Sequence, residues 1–255
     1  MNGRTDFLEY LGREEQNLLT SFAKFGDKLV LMQQLDSLWR KLLDFDKETS
    51  EEYLPLFMMS ERAHFHLYFS ISCLLRGHLS ECFWSTRVAV EAALSAYKMS
   101  AEPGTYKEYL ERHPDFLYIK SHIEKARKKD KSKYPLAPWL IEAHNTCSQY
   151  GSHIDIDSFA YRLKQQDIAN SSAHLMAFHY FEFPEAEKEA EFQTQLAYFL
   201  IAFLHILEIF WDCISMMRNV KDAKGRAALR GLYQSLTKLA PTPPNEEGLA
   251  SQPRP

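Results

Sequence analysis

Glycine is scarce in this chain, with nine residues in 255. Open sheets and barrels spend glycine on tight turns, so the shortage favours helices joined by short connections. Cysteine is scarcer still. Cys73, Cys82, Cys147 and Cys213 are scattered among apolar neighbours and none pairs as CxxC. That spacing excludes a disulfide framework and a zinc knuckle and points to buried thiols in a reducing, cytoplasmic setting. No charge of one sign dominates either. A formal charge of -4 and a pI of about 6.2 create no field that gathers a polyanion, so net charge does not support nucleic acid as a partner. A Gly-rich phosphate loop, HExxH, a Walker lysine and a Rossmann fingerprint are all missing. The opening MNGRTDFLEYLGREEQ lacks the basic-then-apolar order of a signal peptide, so no export is expected.

What is present reads as helix. Apolar residues recur at helical spacing from Asp6 to about Phe45, with Gly26 and Asp27 expected to divide that stretch into two helices. The polar segment DFDKETSEEYLP reads as a loop ending at Pro55. Two long stretches follow, Leu56 to Leu75 and His78 to Met99, separated by Gly77 and expected to form a hairpin or one kinked helix. Pro103-Gly104 ends the second. Shorter helices are expected at Thr105 to Arg112, Pro114 to Lys128 and Ala137 to Tyr150. The run KARKKDKSK reads as a solvated helix end, its lysines near the negative pole. Beyond Gly151, partial alternation points to a small β-hairpin at about 158–183 with Gln165 to Ser172 as its loop; helical periodicity through His174 to Phe181 stays open. The longest helix is expected from Pro184 to about Arg218 and a last one from Asp222 to Leu239.

The fold expected is mainly α, a multi-helix bundle around one long apolar helix. One domain spans 1–239, with N-terminal helices in 6–55, a core bundle in 56–218 and a C-terminal helix in 222–239; the proline-rich polar tail 240–255 is expected to be disordered.

From Leu196 to Met217 the chain reads LAYFLIAFLHILEIFWDCISMM, long enough to span a bilayer. The interruptions decide against that. His205, Glu208, Asp212 and Ser215 lie three, four and three apart on one face, and carboxylates near mid-span cost a few kcal/mol each in lipid. The helix is therefore expected inside a soluble protein, with no membrane partner. His205, Glu208 and Asp212 are also candidate metal ligands, since carboxylate bundles place such side chains inward; the alternative is a partly exposed stripe, or a stripe paired with basic groups of a neighbouring helix.

In STRVAVEAAL, Arg87 and Glu91 lie four apart on an apolar helix and can pair, either structurally or with Arg87 receiving an anion in a cleft. The segment YGSHIDID crowds Tyr150, Ser152, His153, Asp155 and Asp157 at a helix end; these read as caps and turn formers, with Tyr150 and His153 as candidate cleft residues beside Arg87 and Glu91. Ser152 and His153 are neighbours without a nucleophile elbow, so no Ser-His-Asp triad is indicated. His64 and His66 flank Phe65 and point to different faces.

The order LLRGHLSECFWSTRVAVEAALSAY, a helix ending at Tyr150 and His153, an aromatic hairpin and a long apolar helix resembles uncharacterised bacterial helical proteins of the HEPN-like type, over about Leu56 to Met217. That resemblance implies a bundle used in nucleotide or RNA handling, toxin-antitoxin pairs or phage defence. HEPN ribonucleases carry Arg-x(4 to 6)-His, and no arginine here has that spacing; Arg62 and His66 come closest, with three residues between. The function expected is a noncatalytic helical binding or interaction module, self-associating as a homodimer or meeting a protein partner, in a bacterial stress or defence system. The alternative is a divergent HEPN-like ribonuclease or a metal-dependent hydrolase, and the sequence by itself names no cofactor.

Overall fold

A computed structural model describes residues 7–43, 54–102, 105–112, 114–151, 163–167, 174–178, 189–218 and 222–239. Eight described helices follow in order: α1 (Phe7–Leu43), α2 (Leu54–Arg76), α3 (Leu79–Ala101), α4 (Thr105–Arg112), α5 (Phe116–Lys129), α6 (Ala137–Gly151), α7 (Glu189–Arg218) and α8 (Ala223–Leu239). Between α6 and α7, β1 (Leu163–Asp167) pairs antiparallel with β2 (His174–Phe178), in register from Leu163 opposite Phe178 to Asp167 opposite His174. The fold is a mainly α bundle assembled around α7.

The apolar helix is the axis because it is apolar on nearly every side. Phe199, Leu200, Phe203, Ile206, Leu207 and Phe210 are fully buried, and α7 meets α1, α2, α3, α6 and α8. Among the described helices α7 alone is long and apolar enough to cross a membrane, and 67% of its most apolar window is buried inside the protein. Trp39 of α1 locks onto it, fully buried between the rings of Phe203, Phe210 and His64. Second in the core is α3, where Ala89, Ala92, Ala93 and Ala96 let neighbouring backbones approach on several sides.

α2 and α3 form an antiparallel hairpin, as Ser70 meeting Cys82 and His66 meeting Ser85 require. Its turn is a Schellman cap: Gly77 has φ +85°, its N–H donates to Leu74 O (3.0 Å) and the His78 N–H donates to Cys73 O (2.8 Å). α1 completes that helix end from outside. Asn17 Nδ2 donates to the Arg76 carbonyl (3.1 Å) and Ser21 Oγ to the Leu75 carbonyl (2.6 Å), groups that a helix terminus leaves unsatisfied.

Several boundaries differ from expectation. α1 runs unbroken through Gly26 and Asp27, because Phe25 and Leu29 continue one buried face and the helix tolerates a glycine at about 1 kcal/mol. α2 begins at Leu54, two residues early, since Pro55 in a first turn forfeits no hydrogen bond. Gln165, Gln166 and Asp167 belong to a strand and not to the hairpin loop. At the end of α5 the lysines extend into solvent as expected, but Arg127 turns inward and donates to the carbonyls of Lys133 (3.1 Å) and Tyr134 (2.7 Å), bracing a turn in which Tyr134 has φ +51°. The tail 240–255 lies outside the described residues, as do 44–53 and the first residues expected of the hairpin.

Candidate functional site

The polar cluster that joins most elements sits where α3 meets α6. Arg87 and Glu91 are one turn apart on α3, and Arg87 Nε donates to Glu91 Oε1 at 2.9 Å. The same oxygen faces His144 Nε2 of α6 at 3.2 Å, and the ring of Phe116, at the start of α5, covers the imidazole with centroids 4.6 Å apart. Nε2 therefore carries a hydrogen toward the carboxylate, while Nδ1 is buried without a partner among the described residues. Ser95 Oγ donates to the Glu91 carbonyl at 2.7 Å, and Tyr109 of α4 lies within electrostatic range of Glu91.

Burial opposes the charged form of Glu91, but the hydrogen bonds and charges of His144 and Arg87 outweigh it and hold the carboxyl below its ordinary range. The arginine is less fully used. Its two Nη groups make no hydrogen bond among the described residues, and 32% of the side chain remains in solvent. A guanidinium fixed at Nε and open at Nη offers a planar fork suited to a carboxylate or a phosphate.

Of the other cleft candidates, Tyr150 packs on Phe83, with ring centroids 5.3 Å apart, one turn before Arg87, and is half exposed. His153 lies outside the described residues, as do Ser152, Asp155 and Asp157. Gly151 brings the end of α6 against α3: a Cβ there would lie 2.6 Å from the Trp84 nitrogen.

The stripe on α7 is divided among different partners. His205 Nδ1 stands 3.4 Å from Glu208 Oε2 and lies against the rings of Trp139 and Tyr233. Asp212 pairs with Arg226 of α8 at 2.9 Å, the neighbouring-helix pairing that was one of the two alternatives to a metal site. Burial pushes its carboxyl up, against Arg226 and assisted by Glu208. Among the described residues no group of three His, Cys, Asp or Glu side chains is arranged to hold a metal ion.

No family model matches the chain, nor does any curated protein or solved structure.

A second cluster was not foreseen. Asp36 of α1 accepts from Tyr68 and stands 2.8 Å from both His64 Nε2 and Arg40 Nη2. Burial alone would raise this carboxyl, yet Tyr68, His64 and Arg40 together lower it. Its members come from two helices and share no local motif. His144 was missed for a related reason: it continues the buried face Leu140, Ala143, Cys147, and a lone histidine there carries no local mark of a partner 53 positions away. His64 and His66 do part ways, toward Asp36 and Ser85.

Proposed function

We propose that this protein is a noncatalytic helical binding module of the HEPN-like kind, acting in the cytoplasm in a stress or defence role, that receives an anionic group on the open end of Arg87. The observation that carries the reading is the guanidinium held at Nε by Glu91, itself tied to His144, with both Nη groups uncommitted among the described residues. Glu91 cancels much of the local positive field. Selection therefore comes from the geometry of the fork more than from charge, which suits a chain of net charge -4.

The noncatalytic reading draws support from the forms in which reactive side chains are held. Burial pushes the thiols of Cys73, Cys147 and Cys213 up to about 12, far from the thiolate a nucleophile needs. His66 is pushed down by burial and by Arg62, and its Nδ1 is already engaged with Ser85 Oγ at 2.9 Å.

The test is thermal unfolding of the full chain in rising inorganic pyrophosphate, with ionic strength held constant by chloride, beside incubation with an end-labelled single-stranded RNA. The wild type and an Arg230→Ala control should gain melting temperature with pyrophosphate by ligand linkage. Arg87→Ala and Arg87→Lys should lose that gain, lysine because it keeps the charge without the fork. The RNA should stay intact. Cleavage abolished by Arg87→Ala would overturn the reading in favour of a divergent ribonuclease, and an unchanged pyrophosphate response in that variant would remove the cleft.

A further inference from the structure

At one end of the bundle the last turns of α1 and α7 meet the first turns of α8, and the three helices do not close completely. Between them lies a cavity of about 490 Å³. Small organic ligands occupy sites of about 300–1,000 Å³, so the space is of ligand size.

Helical spacing accounts for its walls. Leu38, Lys41 and Leu42 lie three and four residues apart on α1, and Trp211, Ile214 and Ser215 repeat that spacing on α7, so each helix turns one short face to the cavity. Leu38, Leu42, Trp211 and Ile214 are buried and give it an apolar floor. The third wall is built from residues of little bulk, Gly225 and Ala228 of α8. At Gly225 the small size is obligatory, because an added Cβ would overlap the Trp211 ring.

The charges around this floor are unequal. Lys41 and Lys224 reach the cavity from different helices, are exposed, and make no ion pair among the described residues. Asp222 lines it too, but its carboxylate accepts from the Gly225 N–H at 2.9 Å and so serves the end of α8. Two uncommitted ammonium groups beside an apolar floor favour an anionic head group on a nonpolar body. A bare inorganic anion would leave the floor uncovered, and a neutral hydrocarbon would leave the lysines unused.

We propose that this cavity binds a small amphipathic carboxylate of the medium-chain fatty acid type, its hydrocarbon body on Leu38, Leu42, Trp211 and Ile214 and its head group between Lys41 and Lys224. The site shares no residue with the Arg87 cluster and does not depend on the reading of that cluster.

Calorimetric titration of the full chain with decanoate should show one saturable site with a dissociation constant of about 100 μM or lower. Decyltrimethylammonium carries the same chain on the opposite charge and should bind about tenfold more weakly or worse. Replacing both Lys41→Gln and Lys224→Gln should weaken decanoate by about tenfold and abolish the preference between the two head groups, while Lys238→Gln, at the far end of α8, should change neither. Ala228→Phe puts a ring into the space from an exposed position and should eliminate binding with the melting temperature kept; Ala228→Ser, without the bulk, should retain it. The proposal is overturned by the absence of saturable heat up to about 1 mM decanoate, as expected if the chain itself fills the cavity. Equal affinity for the two head groups overturns it as well, and so does decanoate binding that survives Ala228→Phe, which would mark partition onto another apolar surface.

Discussion

Gly225 illustrates how far a single residue can be committed by its surroundings. It lies in the first turn of α8, where its N–H donates to the Asp222 carboxylate at 2.9 Å, so Asp222 caps the helix. A Cβ at this position would fall 2.0 Å from Cζ2 of Trp211, a buried and rigid ring. Gly225→Ala is therefore expected to destabilise by about 1–3 kcal/mol, despite alanine's better helix propensity, as read from urea unfolding. Gly231→Ala, in the same helix with open space around it, should instead be neutral or slightly stabilising. Both glycines look alike in the sequence, and only the neighbouring helix distinguishes them.

Among the elements, the turn between α2 and α3 carries the most local constraint. Gly77 has a positive φ that residues with a Cβ adopt at a cost of about 1–2 kcal/mol, and the nearest atom to an added Cβ is 3.8 Å away. The penalty of Gly77→Ala is thus a backbone penalty of about 1–2 kcal/mol, and Gly77→Asn should recover part of it because asparagine tolerates this region. Comparing the two variants by denaturant midpoint checks the assignment. This turn was legible in advance, since Gly77 parts two apolar runs of helical period. The continuity of α1 was not: a glycine followed by aspartate is a local stop signal, and it is overridden by Phe25 and Leu29 packing on the bundle from either side of it. The short hairpin was legible in place but not in register, because polar Gln165 to Asp167 read as loop until β2 provided a partner.

For the molecule as a whole, acid stability follows from three carboxylates held low. Burial opposes the charge at each, and hydrogen bonds prevail: Tyr68 and His64 at Asp36, His144 and Arg87 at Glu91, His122 and Tyr134 at Glu102. A carboxyl lowered in the folded state stabilises fully above its ordinary value and loses that contribution as pH falls through the folded value. Stability should therefore hold above pH 4.5, the ordinary value for glutamate, and drop progressively below it. Glu91→Gln should lower stability near neutral pH and flatten the acid limb, whereas substitution of exposed Glu111 should leave its slope unchanged. Urea midpoints at a series of pH values would contradict the assignment if the Glu91→Gln slope matched wild type.

Apolar period and the scarcity of glycine were enough to specify a helical bundle around Leu196 to Met217, and four-residue spacing was enough to pair Arg87 with Glu91. These are local properties, written within a turn or two of the chain. Which carboxylate His144 and His64 would meet, and that Asp212 would be paired by Arg226, depended on contacts between helices. Such contacts are decided by packing, because a side chain's partner across a bundle is set by the angle and register of two helices, and neither is encoded within the helix that carries it.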